Sequence, residues 1–380
     1  MSTKLINTLC PFCGVGCGIN LKLDSNNQLV GVEPQKNHPI SQGKLCDKGW
    51  STAYAITSPK RLTQPLKRVN KTFYPISWQE ALSIIAEELQ GVIGQWGSQA
   101  VGVISSARAT NEDNYAAQKF ARAVLKSNNI DHCARICHSP TVAGLKQSLG
   151  SGAMTNSAKD IFSSDLILVF GADPTENHSI IGGQIIQAHL QGAQLIVIDP
   201  RVTRLAKLAN QHMQLKLGSN IALINAMLHV IIEENYLDKT FIKARCDGFE
   251  HLAQHVKSIT PESVEQLTGV SAQLIRIVAK AYSQAKRAMI FYGMGITQYM
   301  SGTNNVISLA NLALTCGHIG RAGTGVNPLR GQNNVQGACD MGCLPNVYPG
   351  YQCVDDKKAQ EKFSHAWHTE VAKAPGLTSL

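Results

Sequence analysis

The chain has no uninterrupted apolar run of about 18 residues, the length a membrane-crossing helix needs, so no membrane span is expected. Its first residues, Met1-Ser2-Thr3-Lys4-Leu5-Ile6-Asn7, hold neither the apolar core of a secretion signal nor a twin-arginine pair, and the expectation is a cytoplasmic protein. No internal repeat or low-complexity segment interrupts the 380 residues, a length that allows two or three domains with cores of their own. A basic stripe is also missing. The net charge is +9, but the lysines and arginines are spread along the chain, which argues against nucleic acid. The excess suits a buried polyanion such as a nucleotide pyrophosphate, or no more than a basic surface. The strand ends lack Gly-x-Gly-x-x-Gly, which excludes an ordinary NAD site. Eleven cysteines, an odd number in so long a chain, make a poor disulfide framework.

What is present begins with Cys10-Pro-Phe-Cys13-Gly-Val-Gly-Cys17, followed by Cys46 in Lys44-Leu45-Cys46-Asp47-Lys48-Gly49. Three cysteines within eight residues and a fourth brought from a distance suit the corners of a cubane iron–sulfur cluster. A zinc site usually draws its cysteines in two close pairs, and unrelated buried thiols are a third reading. Glycines 14, 16 and 18 would let backbone N–H groups approach the cluster sulfurs. Short apolar stretches at 19–23 and 29–32 around Ser25-Asn26-Asn27 read as a hairpin, so residues 1–60 form a small subdomain.

The remainder reads as α/β with mainly parallel sheets. Ser77-Trp78-Gln79-Glu80 opens a helix over about 78–92, residues 101–104 a strand, and Ser105–Asn111, carrying Arg108, a loop into a helix near 112–126. A strand, a small-residue loop with an arginine and a helix start make an anion site. Cys137-His138 is either a thiolate activated by a neighbouring cation or an inert cysteine beside a histidine; Cys133 is read as a buried thiol. Residues 165–171 and 195–201 are strands flanking a helix that opens at 172–178 and runs to about 191, a βαβ unit with Asp199 at a strand end. Helices follow at 220–234, 261–267, 271–285 and 304–315, with a strand at 288–292 that runs into Gly293-Met294-Gly295. The Gly-, Asn- and Gln-rich stretch 317–337 suggests amide groups wrapped around a polar ligand, and the chain ends in a polar tail.

Taken together, the cysteine run, Arg135-Ile136-Cys137-His138-Ser139-Pro140 and Asn327-Pro328-Leu329-Arg330-Gly331-Gln332-Asn333-Asn334-Val335-Gln336-Gly337 resemble the molybdopterin oxidoreductase family, and within it the catalytic subunit of molybdenum- or tungsten-dependent formate dehydrogenases. The resemblance implies a 4Fe–4S cluster on Cys10, Cys13, Cys17 and Cys46 and a bis(molybdopterin guanine dinucleotide) carrying molybdenum or tungsten. Cys137 would bind that metal, Lys48 would bridge cluster and pterin, Arg330 would hold formate, and His138, with a pKa near neutrality, would receive or relay a proton. Arg108, Asp173, Glu176, Asp199, Arg201, Met294, Gln298, Gln332 and Asn334 match positions that contact the pterin dinucleotides. The partners implied are formate and an electron-accepting protein or iron–sulfur subunit. The implied domains are 1–60, a first part of one pterin-binding α/β domain at 61–136, a second such domain at 137–335, and a return into the first at 336–380.

Catalytic subunits of this family are nearly twice as long, so the expectation is a truncated or split subunit in which a second polypeptide supplies the C-terminal half. Two other functions compete: a nitrate reductase-like enzyme of the same superfamily, and a non-catalytic cluster-binding fragment. His138 and Arg330 argue against nitrate, because they suit a small carboxylate and a proton.

Overall fold

The computed structural model describes residues 3–380. Strands β1 (Lys4–Leu9), β2 (Gly18–Leu23) and β3 (Leu29–Pro34) form an antiparallel sheet in that order. The β2–β3 turn is fastened by Asp24, whose Oδ1 accepts the N–H of Asn26 and of Gln28, each at 2.8 Å, the local bond for which aspartate is favoured in turns. Hairpin β4 (Leu66–Val69) and β5 (Thr72–Pro75) leads into the helix Trp78–Trp96. Ser77 Oγ caps that helix by accepting Glu80 N–H at 3.1 Å. Yet none of its residues is buried.

Strands β6 (Val103–Ser105) and β7 (Ile130–His132) pair in parallel. Between them the helix Asn111–Lys119 starts from a capping box of Thr110 and Asp113. It continues as a π-helical segment, Phe120–Val124.

The core is a parallel sheet of β8 (Leu166–Phe170), β9 (Gln194–Ile198), β10 (Gln211–Met213), β11 (Ala288–Tyr292) and β12 (Gly325–Pro328), in the order β10-β9-β8-β11-β12. Every residue of β8 and β11 is buried, which is why their sequences are continuous apolar runs rather than alternating ones. Leu166, Leu168 and Phe170 pack with the helices Asn220–Glu233, Ala272–Gln284 and Gly302–Thr315 on one face. Ile167 and Val169 pack with the helix Ser179–Leu190 on the other.

The chain leaves β8 toward β9 and β10, then returns to the other side of β8 with β11 and β12. The carboxyl ends of β8 and β11 therefore flank a topological switch point, where open α/β sheets bind ligands. Gly171 and Gly295 touch there. A Cβ on Gly295 would lie 2.6 Å from the Gly171 Cα, so neither loop has room for a side chain.

Three features differ from the sequence reading. The glycine-rich stretch 317–337 contains an edge strand, β12, where the reading had only a ligand-wrapping loop. The 172–191 helix is broken at His178 into Pro174–Asn177 and Ser179–Leu190. The supposed polar tail holds a helix, Lys357–Trp367, whose Phe363 and Trp367 pack on Tyr348. Among the described residues no helix is long and apolar enough to cross a membrane.

Candidate functional site

Cys10, Cys13, Cys17 and Cys46 line one small cavity with Leu45, Gly49, Ser179 and Ile180. Burial and the other cysteines push the Cys17 thiol up to about 12, and burial likewise raises Cys10 and Cys13, while Lys48 lowers both. Burial thus favours the neutral thiol at Cys10, Cys13 and Cys17 unless cations share the pocket. Among the described residues, no three His, Cys, Asp or Glu side chains are set to hold one metal ion. Four cysteines lining one pocket are the donor set of a cubane cluster.

Gly14 serves a different end from the one the sequence suggested. The backbone groups that lower the Cys10 and Cys13 thiols are those of Phe12 and Val15. Gly14 instead donates its N–H to Gly331 O at 3.1 Å, and a Cβ there would meet Arg330 O at 2.3 Å. The cysteine loop is pressed against the backbone that carries Arg330.

Phe12 and Cys13 also line a second, larger cavity of about 670 Å3 at the switch point. The loops after β8, β9 and β11 supply Asp173, Asp199, Arg201 and Met294 to its wall, and Lys48, Arg108, Lys216 and Gln332 add to its polar lining. Asp173 and Asp199 are nearly buried. Burial raises the Asp199 carboxyl and Asp173 adds to the rise, while the Arg201 N–H, donated to Asp199 Oδ1 at 2.8 Å, opposes it. Lys48 Nζ donates to Glu176 O at 2.9 Å, and Arg108 Nη1 donates to Phe12 O at 2.7 Å, which anchors Arg108 on the wall shared by the two cavities.

Cys137 is buried at the end of a 3-10 turn, Cys133–Ile136, with its Sγ 3.9 Å from Gln332 Oε1. Burial raises its thiol, and a Gly331 backbone bond and the Arg330 charge lower it. Arg330 Nη1 donates to Gln336 Oε1 and Nη2 to Gly152 O, both at 2.6 Å. His138 is buried, and desolvation together with the Arg330 charge lowers it to about 4. The expected pKa near neutrality is therefore absent in this structure. A second buried histidine, His178, has its Nε2 2.7 Å from Arg330 O.

Of the pterin-contacting positions expected from sequence, Lys48, Arg108, Asp173, Asp199, Arg201, Met294 and Gln332 line the large cavity. Glu176 takes part through its carbonyl only, bound by Lys48. Gln298 and Asn334 are turned elsewhere: Gln298 Nε2 donates to Ile136 O, and Asn334 Nδ2 donates to Ala109 O and Asn111 Oδ1. Asn177, His178, Lys216, Asn220 and Tyr299 line the cavity without having been singled out from sequence. Lys216 follows β10, a three-residue strand with no readable pattern. Asn220 is the first residue of a helix that the sequence reading placed at 220–234, and a helix start with its free N–H groups was a usable signal.

A sequence pattern described as "Molybdopterin oxidoreductase Fe4S4 domain" matches residues 3–57, and one described as "Molybdopterin oxidoreductase" matches residues 61–375. The descriptions carry the cofactors with them, an Fe4S4 cluster and a molybdopterin. The chain is 50% identical over 378 residues to the "F420-dependent formate dehydrogenase subunit alpha" of Methanocaldococcus jannaschii, covering 100% of this chain and 55% of that protein. It is 48% identical over 378 residues to "Formate dehydrogenase H" of Escherichia coli, covering 98% and 53%. Among solved structures, "Acetylene Hydratase from Pelobacter acetylenicus" superposes with a TM-score of 0.70 at 26% identity, covering 82% of this chain and 43% of that one. The chain spans about half the length of the curated relatives it matches. Four cysteines around one pocket, a mixed-charge cavity at the switch point beside it and matches from residue 3 to residue 375 lead to one conclusion: the chain belongs to the molybdopterin oxidoreductase family.

Proposed function

We propose that this chain carries the substrate centre of a formate dehydrogenase catalytic subunit, oxidising formate to carbon dioxide, a proton and two electrons. The observation that carries the reading is the turn Leu329–Gln332. Gln332 and Gly331 reach the Cys137 sulfur, Arg330 projects from the turn, and Gly14 of the cysteine loop is bonded to its Gly331 carbonyl. One short segment thereby joins the proposed metal ligand Cys137, the substrate arginine and the cluster loop.

The donor set fits the family's cofactors. Four cysteines on one pocket suit a 4Fe–4S cluster. Lys48, Arg108, Arg201 and Lys216 would supply positive charge for pyrophosphates, and Asp173 and Asp199 would accept the N–H groups of a guanine base. When bound, a molybdenum or tungsten bis(molybdopterin guanine dinucleotide) would take the two electrons and the cluster would pass them on singly. Cys137 is the thiol assigned to that metal. Arg330 commits two of its five N–H donors to Gln336 and Gly152, leaving others for a carboxylate. His138 holds Leu329 O rather than a free proton.

The same reading divides the chain at residues 60, 136 and 335 and gives it two partners: an electron-accepting protein, and further polypeptide that packs on residues 61–136. The support for the second is exposure. The helix Trp78–Trp96 buries nothing, Trp78 is 68% exposed, and Ile104 on β6 is 71% exposed. A parallel pair such as β6–β7 is ordinarily covered on both faces.

Anaerobic purification with iron, molybdenum and tungsten quantified, followed by formate-dependent reduction of a viologen dye, tests the reading. Cys137→Ala and Arg330→Ala are expected to abolish dye reduction with iron retained. Iron without molybdenum or tungsten, and no dye reduction once the proposed partner polypeptide is supplied, would favour a cluster-binding fragment instead.

A further inference from the structure

Three successive carbonyls in the Leu329–Gly331 turn are each held by a different part of the chain. His138 Nε2 lies 3.1 Å from Leu329 O, His178 Nε2 lies 2.7 Å from Arg330 O, and Gly14 N–H donates to Gly331 O at 3.1 Å. A carbonyl can only accept, so both histidines must carry a proton on Nε2. For a neutral His138 this makes Nδ1 an acceptor. Thr141 Oγ1, 3.0 Å away, then donates to it, and Tyr292 Oη, 3.0 Å from Thr141, donates in turn to the threonine. Every proton in that chain has a settled direction, and all three side chains are buried.

His178 occupies the break before the helix Ser179–Leu190, and the first residues of that helix, Ser179 and Ile180, line the cysteine pocket. Gly14 belongs to the cysteine loop itself. Two of the three grips on the Arg330 backbone therefore come from elements that wall the cysteine pocket, and the third comes from the neighbour of Cys137.

We infer that His178 is a positioning residue for Arg330: through the Arg330 carbonyl, and together with His138 and Gly14, it ties the placement of the guanidinium to the walls of the cysteine pocket. The inference rests on the reading that Arg330 holds the formate carboxylate, but the clamp can be measured without that chemistry. A single buried donor is at stake, so its loss should weaken the hold on substrate by about tenfold rather than abolish it.

The test has two arms. In the chain labelled with nitrogen-15 histidine, the His178 resonance, assigned by its absence in His178→Gln, should show a slowly exchanging Nε2 proton. Hydrogen–deuterium exchange over 328–334 should speed up in His178→Phe and not in His178→Gln, whose amide can still donate, while β8 and β11 stay protected. In the loaded, complete enzyme, His178→Phe should raise the KM for formate about tenfold with kcat changed less than about threefold, and His178→Gln should restore KM. A proton on Nδ1, unchanged exchange in His178→Phe, or an unchanged KM despite faster exchange would each overturn the inference. If the wild-type enzyme oxidised no formate, the functional reading would fail while the resonance and exchange arms still judged the clamp.

Discussion

Replacing Gly14 by alanine perturbs the contact on which the site depends most directly. The added Cβ would sit 2.3 Å from Arg330 O, 3.1 Å from Arg330 C and 3.3 Å from Gln332 O, all backbone atoms that no rotamer change can move aside. Reaching even a 3.0 Å contact needs a retreat of about 0.7 Å (3.0 − 2.3), which lengthens the 3.1 Å bond from Gly14 N–H to Gly331 O. Overpacking of this kind costs about 1–3 kcal/mol, and losing the bond about 1 kcal/mol more. That is a sizeable part of the 5–15 kcal/mol typical of a folded domain. The same displacement moves the Arg330 backbone by most of an ångström, a scale at which misplacement lowers turnover by about a hundredfold. Gly16 is the control. Its φ is +66° with nothing within 4 Å of a Cβ, so Gly16→Ala carries only the strain of a left-handed alanine, about 1 kcal/mol, and moves nothing near Arg330. Denaturant unfolding and formate-dependent dye reduction, measured on both variants, should separate them. Equal losses of activity in the two, or wild-type activity in Gly14→Ala, would refute the argument that the cysteine loop holds Arg330 in place.

Three further outcomes follow from other parts of the structure. Arg122 is fully buried without a carboxylate and donates to Asn128, Gln118 and the carbonyls of Gly342, Leu344 and Val347, so Arg122→Met strands five acceptors and should cost about 3 kcal/mol or more in denaturant unfolding. Burial lowers His318 from its usual 6.5 to about 4, so the unfolded chain binds a proton before the folded one does: its contribution is complete above pH 6.5 and is lost, on the order of 3 kcal/mol, as pH falls toward 4. His318→Gln, which keeps a donor for Tyr282 O, should flatten stability across that window, and an unchanged acid limb would contradict the assignment. Trp78→Ser and Leu82→Ser lie on a helix with no buried residue, so unfolding of this chain should change by less than about 0.5 kcal/mol while co-purification with the proposed partner polypeptide falls; unimpaired co-purification would count against this face as the contact.

The central strands were readable because burial on both faces turns β8, β9 and β11 into apolar runs, and the helix from Trp78 because Ser77 marks its start. β12 was not. Gly325-Val326-Asn327-Pro328 has little strand propensity and is tolerated because it forms an edge, where proline removes no ladder bond. The cysteine spacing pointed to a cluster correctly, as the family match to residues 3–57 bears out, but the reason given for its glycines was wrong at position 14. That glycine answers a carbonyl more than 300 residues away, and nothing in local sequence marks such a contact. His178 was invisible for the same reason, since its role lies in an Arg330 carbonyl 152 positions along the chain. His138 stood out in the sequence, but whether it is exposed or sealed behind Thr141 and Leu329 depends on packing that spacing does not encode.

The central claim is that Cys137 binds the metal of a molybdopterin centre whose cavity shares a wall with the four-cysteine pocket. X-ray absorption at the molybdenum or tungsten edge tests it most directly, on anaerobically purified wild-type and Cys137→Ser protein with about four iron atoms per chain in each. The account predicts one sulfur neighbour fewer at the metal in Cys137→Ser with the iron unchanged. Identical sulfur shells in the two proteins would contradict it.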